Sequence, residues 1–391
     1  GLSWSLLDFG VSYYRAKQEA DQYLMAQERQ RKVIQNVLQV IGGAYWRALG
    51  AQKLIVRVDN LIDRVNDALE RSRKAEKQGL LPQPVALGYQ RALLDAVALL
   101  SQRRQELELA RSELAALMSL PPGTRFTLKD ETMPALPPVP QDVSRLENIA
   151  LERRPELMEE WYRKRVTTND VKAAMIQALP GIQLDFLNLQ YDSNKYLYNN
   201  SWSQSGIQIS WNLFRLASLP ALQRAHDAQA KTDDYRRMAL SMAILTQVRI
   251  GVQRYALAKA DLALAKESAR VDQGLYRYAK AAETSRVDSG LEVIRAEARE
   301  LLTEYQQYAS YSNAQSAWGR LYNSIGLDVL PDAIASLDVH SLATAIGKTT
   351  SEWEHKTFYA EAAQAEAPVA SAKPAAPAVA TAAPVAAEGS K

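Results

Sequence analysis

Apolar residues recur at intervals of three and four positions along most of the chain, the spacing of one face of an α-helix. From Val11 to Gln78 there is no proline, and glycine interrupts the pattern only at Gly42, Gly43 and Gly50. A helix of about 68 residues would be about 100 Å long. In its second half, apolar residues form a seam typical of coiled coils, with charged residues on both sides. The seam consists of Leu54, Val58, Leu61, Val65 and Leu69. The pattern predicts a helix far longer than those of globular domains.

A second helical run follows after a short breaker. Residues 79–84, GLLPQP, contain one glycine and two prolines, after which the apolar spacing returns over residues 85–120. This run ends at the two prolines and the glycine of 121–123, which are strong helix breakers. Residues 11–120 are therefore predicted to form one long helical hairpin. A similar pair of runs predicts a second long helical hairpin over residues 215–325.

Similar short sequences precede the two hairpins. Ser-Trp-Xaa-Leu occurs at Ser3–Leu6 and again at Ser210–Leu213, an offset of 207 residues. The second long helix is predicted to run from about Leu219 to Ala282, with Pro220 in its first turn. Chance similarity between alanine-rich hairpins is the alternative, and the strand shared by both units argues against it. The sequence thus indicates an internal repeat of a strand followed by a helical hairpin.

Residues 181–214 alternate apolar and polar side chains, which predicts a β-hairpin. One face of its second strand carries Ile207, Ile209 and Trp211, and the other carries Gln208, Ser210 and Asn212. Four aromatic residues lie near the turn, as in the girdles of outer-membrane barrels: Tyr191, Tyr196, Tyr198 and Trp202. Residues 1–10 are predicted to be the end of a similar strand. The pattern fits a wall with lipid on one side, and the alternative is a hairpin packed on a soluble core.

The remaining segments divide by composition. Residues 121–145 are rich in proline and are predicted to be a connector, and residues 146–180 have the pattern of shorter helices. A further short segment covers residues 326–360. From residue 361 to 391 the chain consists mainly of alanine, proline and valine, which predicts a disordered tail.

Charge and composition narrow the function classes. The net charge of +3 comes from 47 basic and 44 acidic residues without a block of lysine or arginine, so a nucleic-acid partner is not expected. The absence of cysteine removes disulfides and thiol chemistry. No apolar run approaches the roughly 18 residues that a membrane-spanning helix needs. The sequence predicts either a soluble protein or one that crosses a membrane by strands.

Candidate chemistry is sparse, and we expect neither an enzyme, nor a cofactor, nor a metal site. The three histidines, His226, His340 and His355, lack the spacing of zinc ligands. Asp8-Phe9-Gly10 spells a kinase tripeptide without the other kinase motifs, which indicates coincidence. Arg153 and Arg154, directly before Pro155, fit a structural pair at a helix junction better than an anion site.

Four features together resemble the TolC-type outer-membrane efflux proteins, over about residues 1–345. The strand ends SWSLLDFG and SWNLFRLA run into long helices, and ALERRPEL (150–157) is similar to the family signature Ala-Leu-x-x-Arg-Pro-Asp/Glu-Leu. ALPGIQL is similar to the entry into the family's third strand. KQGLLPQPVAL (77–87) and SGLEVIRAE (289–297) resemble the tips of the family's two helical hairpins.

The resemblance implies a mainly α fold with a small β part. Each chain would carry two tandem repeats of strand or β-hairpin plus coiled-coil helical hairpin. Three chains would build an α-barrel tunnel on a twelve-stranded outer-membrane β-barrel, with residues 146–180 and 326–360 forming an equatorial region. By the offset of the repeat, Gly1 matches Gln208 in the middle of a strand. We therefore expect the first repeat to be truncated, and the chain to be a fragment or the product of a truncated reading frame.

The implied function is an export duct in the outer membrane, with its helical tunnel in the periplasm. The implied partners are two further copies of the chain, a periplasmic adaptor protein, an inner-membrane pump driven by ATP or protons, and the lipid of the outer membrane. The transported substrate stays open. The alternative from the residues alone is a soluble coiled-coil scaffold, which leaves the two-faced hairpin unexplained.

The resemblance also implies roles for residues at the hairpin tips. The candidates for a periplasmic gate are Glu292, Asp288 and Arg295, and the candidates for adaptor docking are Gly79, Leu80, Leu81, Ser289, Gly290 and Leu291. Three copies of Glu292 around one axis would form a cation-attracting ring. Pro82 and Pro84 depart from the family pattern at the first tip, so the adaptor contact there is expected to differ in shape.

Overall fold

The computed structural model of the chain describes residues 2–80, 82–121, 123–191, 201–284, 290–330 and 338–359. These ranges contain a small sheet and seven α-helices. The strands are β1 (Leu2–Ser5), β2 (Gly181–Tyr191) and β3 (Ser201–Ser210). The helices are α1 (Leu6–Lys77), α2 (Gln83–Leu117), α3 (Val143–Arg153), α4 (Pro155–Gln177), α5 (Leu213–Thr284), α6 (Gly290–Ser324) and α7 (Val339–Glu354), and a π-helical turn, His355–Tyr359, follows α7. The predicted tail, 361–391, lies outside the described residues.

The two halves of the chain follow the same plan. α1 and α5 each contain 72 residues, and α2 and α6 each contain 35 residues. A helix of 72 residues is about 108 Å long. In each half a strand leads directly into the long helix, and the shorter helix returns along it.

Both long helices begin earlier than the alternation of side chains predicted. Ser5 caps α1, since its Oγ accepts a hydrogen bond of 3.3 Å from the backbone N–H of Asp8. Residues 6–10 are therefore helical rather than the end of a strand. In the second half β3 ends at Ser210 and α5 begins at Leu213, so that Pro220 lies inside the helix rather than at its start.

Near the hairpin tips the helices lie side by side in the order α2, α1, α6, α5. Aliphatic residues of α1, α2 and α6 form their core, including Leu61, Leu93 and Leu301. Charged pairs cross the α1–α6 contact: Arg57 pairs with Glu300 at 2.5 Å and with Glu304. Packing of neighbouring helices, and not helix propensity alone, stabilises these long helices.

Glycines of α1 allow a close approach of α6. Gly42, Gly43 and Gly50 do not interrupt α1, which passes through all three positions. A methyl group at Gly50 would lie 2.8 Å from Cβ of Tyr308, whereas one at Gly42 would meet no atom within 4 Å. The small side chain at Gly50 therefore serves helix packing.

In the other half of the molecule α4 packs between α1 and α5. Its start lies against the end of α6, because an Nη atom of Arg154 donates a hydrogen bond of 3.1 Å to the carbonyl of Asn323. The proline-rich connector lies across the helices. The hydroxyls of Tyr255 and Tyr311 donate to the carbonyls of Pro137 (2.6 Å) and Pro134 (2.9 Å).

The sheet is antiparallel, with the order β1-β2-β3. It lies at the end of the long helices opposite the hairpin tips, because β1 and β3 lead into the first turns of α1 and α5. Among the described helices, none combines the length and the apolar character required to cross a bilayer.

Candidate channel-forming surfaces

The register of the strands sorts the sheet into an apolar and a polar face. Trp4 pairs with Leu184, which pairs with Ile207, and residues directly opposite each other point to the same side of a sheet. Ile182 pairs with Ile209 in a neighbouring row. On the other face lies the row Ser5, Gln183 and Gln208.

The apolar face carries no covering layer from the described parts of the chain. The side chains of Ile207 and Ile209 are 72% and 68% exposed, and Trp4 is half exposed. Contiguous exposed apolar surface in proteins marks a contact with lipid or with another chain. This face is the strongest candidate for a membrane-facing surface, and the lipid-facing role of Ile207 and Ile209 stays a prediction.

Trp211 occupies a different position from the one predicted. It follows the last residue of β3, and its indole N–H donates a hydrogen bond of 3.1 Å to the carbonyl of Ala178. Trp211 is half exposed. Its hydrogen bond connects the sheet to the end of α4. Of the predicted aromatic cluster, Tyr191 is exposed and Trp202 is partly buried, while Tyr196 and Tyr198 lie outside the described residues.

At the first tip, α1 ends in a tight C-terminal motif. The backbone N–H of Leu80 donates to the carbonyl of Ala75 and that of Gly79 to the carbonyl of Glu76, both at 3.0 Å. Gly79 has a φ of +68°, which only glycine adopts without strain. Pro82 then caps α2. Leu80 is exposed at this end of the molecule, and Leu81 lies outside the described residues.

At the second tip the structure describes the chain from Gly290 onward, and Asp288 and Ser289 lie outside the described residues. Glu292 and Arg295 form an ion pair of 2.6 Å, and each side chain is about half exposed, at 47% and 49%. Leu291, predicted to belong to a docking surface, is buried in the core between the helices. Of the predicted tip residues that the structure describes, Gly79, Leu80, Gly290, Glu292 and Arg295 are therefore exposed.

Comparison with solved structures finds the same architecture in outer-membrane channels. The outer-membrane channel CmeC of Campylobacter jejuni superposes with a TM-score of 0.63 at 12% identity, over 91% of this chain and 74% of that chain. The MtrE channel of Neisseria gonorrhoeae, in its open state, gives 0.60 at 14% identity, over 83% and 73%. The outer-membrane protein VceC of Vibrio cholerae gives 0.58 at 16% identity, over 83% and 78%. The chain has the fold of these outer-membrane channels.

The resemblance inferred from the motifs is confirmed at the level of the fold. No protein-family model and no curated protein matches the sequence. The channel fold accounts for both unusual features of the chain, namely the helices of about 108 Å and the uncovered sheet at their end.

Two exposed apolar rows that were not predicted from the sequence lie on α2 and α5. On α5 the row repeats every seven residues and is exposed: Ile250, Leu257, Leu264, Val271 and Tyr278. On α2 the exposed row contains Leu87, Leu94 and Leu109. The seven-residue spacing of the first row was visible in the sequence, but a buried row on the opposite side of α5, formed by Val248, Tyr255 and Leu262, has the same period. Only the structure separates the two.

Arg154 has a structural role at the junction of α3 and α4, which the sequence favoured over an anion site. Its side chain is only 9% exposed and lies between Glu156, Gln247 and Asn323. Burial lowers the pKa of Arg154, and the neighbouring carboxylate of Glu156 partly offsets this effect. Arg153 instead lies over the ring of Trp353, 4.5 Å from its centroid.

Proposed function

We propose that the chain is the outer-membrane duct of a tripartite efflux or type I secretion system. The duct passes substrates from an inner-membrane pump to the exterior and performs no chemistry of its own. Its sheet, of which the structure describes three strands, lies in the outer membrane as part of a twelve-stranded barrel to which each of three copies contributes four strands. Its helices form a tunnel in the periplasm.

The observation that carries this proposal is the uncovered, two-faced sheet at one end of a long helical body. An apolar face toward lipid and a polar face toward water is the arrangement of a membrane-spanning wall of strands. The similar structures are themselves outer-membrane channels, which supports the same role here.

The apolar rows on α2 and α5 support assembly with further copies. These two helices form the two edges of the row of four helices near the tips. Contact between α5 of one copy and α2 of the next buries both apolar rows, and repetition of this head-to-tail contact closes a ring. We propose a homotrimer.

The tips are proposed to meet the partner proteins. They lie at the end of the body farthest from the sheet, where a periplasmic adaptor could bridge the duct to the pump. Gly79, Leu80 and Gly290 are the described docking residues, and Leu81 and Ser289 are proposed to belong to the same surface. Glu292, with Asp288 and Arg295, is proposed to line the closed entrance.

Membrane insertion and conductance test the proposal together. The protein should partition into the detergent-rich phase on phase separation and should produce stepwise conductance in planar lipid bilayers. A soluble coiled-coil scaffold would stay in the aqueous phase and would produce no conductance in the bilayers. That pair of results would refute the proposal.

A further inference from the structure

An open cavity of about 600 Å³, lined mainly by polar and charged residues, lies where α1, α5 and α6 meet the junction of α3 and α4. It is in the middle of the molecule, away from both the sheet and the hairpin tips. The junction contributes Arg154 and Glu156, α5 contributes Arg254, and α6 contributes Arg320. Its volume lies within the range of about 300–1,000 Å³ that is usual for small-molecule sites.

The carboxylate that lines the cavity, that of Glu156, already forms ion pairs within the chain. Glu156 contacts Nε of Arg154 at 3.0 Å and the ammonium group of Lys32 at 3.3 Å. Arg154 is held further by Gln247, whose amide oxygen accepts a hydrogen bond of 2.8 Å. One carboxylate thus balances two cations, and no negative charge is left over for other groups.

Arg254 and Arg320 also line the cavity, and neither has a hydrogen-bond or ion-pair partner among the described residues. The cavity is thus lined by three arginines and by one carboxylate, that of Glu156, which already contacts Arg154 and Lys32. Like charges that share a site raise its potential and attract a counter-ion of opposite sign. Arginine binds phosphate and carboxylate groups through two parallel hydrogen bonds.

The rest of the lining suits a polar molecule. Asn36, Gln39 and Asn313 also line the cavity. The amide oxygens of Asn36 and Gln39 accept hydrogen bonds of 2.7 and 3.0 Å from Nδ2 of Asn323, which leaves their NH₂ groups as donors toward a ligand. Such groups bind hydroxyls, whereas an inorganic ion alone would leave most of the volume to water. The charged groups and the amides therefore select different parts of one ligand.

We propose that this cavity binds a sugar-like organic anion. Its phosphate or carboxylate group lies between Arg254 and Arg320, and its hydroxyl-bearing body lies against the amides of α1 and α6. The site is independent of the export function, because it needs only the folded chain.

Calorimetric titration of the purified protein with three probes tests the proposal. The probes are glucose 6-phosphate, glucuronate and uncharged glucose, at one fixed ionic strength. We expect saturable binding of one or both anionic sugars, with one site per chain, and no detectable binding of glucose. The two anionic probes distinguish phosphate from carboxylate recognition. No saturable binding of either anionic sugar, or equal binding of glucose, would overturn the proposal.

Single variants locate the site. Arg254→Gln and Arg320→Gln should each weaken binding about tenfold or more, since each removes a charge-assisted contact. Arg277→Gln is the matched control, because Arg277 is an exposed arginine of α5, the helix that also carries Arg254, and it donates only to the carbonyl of Gln273. Arg154 is left unchanged because of its structural bonds, and circular dichroism confirms folding of each variant. Unchanged binding in both cavity variants, or an equal loss in Arg277→Gln, would show that the site lies elsewhere.

Discussion

The side chain at position 50 sets how closely α1 and α6 can approach. A methyl group at Gly50 would lie 2.8 Å from Cβ and Cγ of Tyr308. Gly50→Ala should therefore lower the free energy of unfolding by about 1–3 kcal/mol, the usual cost of overpacking. Gly42→Ala, where the methyl group meets open space, should raise it by up to about 1 kcal/mol through helix propensity. Thermal unfolding followed by circular dichroism measures both, and equal shifts would contradict the proposed close packing.

Glu354 gives the contact of α7 with α6 a pH dependence. Burial raises the pKa of Glu354, and the hydrogen bond of 3.1 Å from the indole N–H of Trp318 partly offsets this effect. A raised pKa means that the ionised form is disfavoured in the folded state, so stability falls as pH rises from the ordinary value of 4.5 through the folded value.

Glu354→Gln should therefore be more stable than the parent protein at pH 7, because the amide oxygen keeps the bond from Trp318 without a charge. This advantage should shrink below pH 4.5, the ordinary pKa of the carboxyl group. Thermal unfolding across this range is the measurement. Glu352→Gln is the control, since Glu352 is exposed and reaches only Lys348, at 4.0 Å. A gain for Glu354→Gln that does not vary with pH would contradict the argument.

Glu292 is the residue on which the proposed gate depends. If three copies surround one axis, Glu292→Gln should reduce cation selectivity in planar bilayers and weaken block by a trivalent cation. Glu267→Gln is the matched control, because Glu267 is equally an exposed residue paired three positions along its helix, with Arg270 at 2.5 Å. Unaltered selectivity and block in Glu292→Gln would place this carboxylate on the outer surface.

At the scale of elements, the two faces of β3 make opposite predictions. Ile207→Asp or Ile209→Asp places a charge on the proposed lipid face, where the costliest charges lose about 2–4 kcal/mol near mid-membrane and acidic residues lose less. Gln208→Asp, one position along the same strand, should be tolerated. The amount of membrane-inserted protein is the readout. Equal losses for Ile207→Asp and Gln208→Asp would exclude a two-faced membrane strand.

The long helices and the β-hairpin were predictable from the sequence because their signals extend over many residues. The seam from Leu54 to Leu69 and the alternation around Ile207 both have one period throughout. The strand-to-helix boundaries were not predictable in the same way. Leu6 and Leu213 are apolar residues that fit both the two-residue period of a strand and the period of a helix. At the first boundary, the hydrogen bond from the backbone N–H of Asp8 to Ser5 fixes the start of the helix. The anionic-sugar cavity was also hidden, since Arg154, Arg254 and Arg320 are far apart in the sequence.

At the scale of the whole molecule, the two helices at the edges of the row, α2 and α5, each expose an apolar row. Leu94 lies about three turns from the tip end of α2, and Val271 lies about three and a half turns from the tip end of α5. Both side chains are exposed, at 43% and 44%, and both belong to the apolar rows. They are therefore at similar heights on opposite edges of one chain, and they would meet only between two copies.

A disulfide between these edges tests the proposed ring most directly, because the chain contains no cysteine. A disulfide requires Cα atoms within about 7 Å, which opposite edges of one chain do not provide. We predict that the double variant Leu94→Cys with Val271→Cys, oxidised in isolated membranes, runs on non-reducing gels as a ladder that stops at three chains. Each single variant should stay a monomer. A double variant that stays monomeric, or a ladder that continues beyond three chains, would contradict a closed trimeric duct.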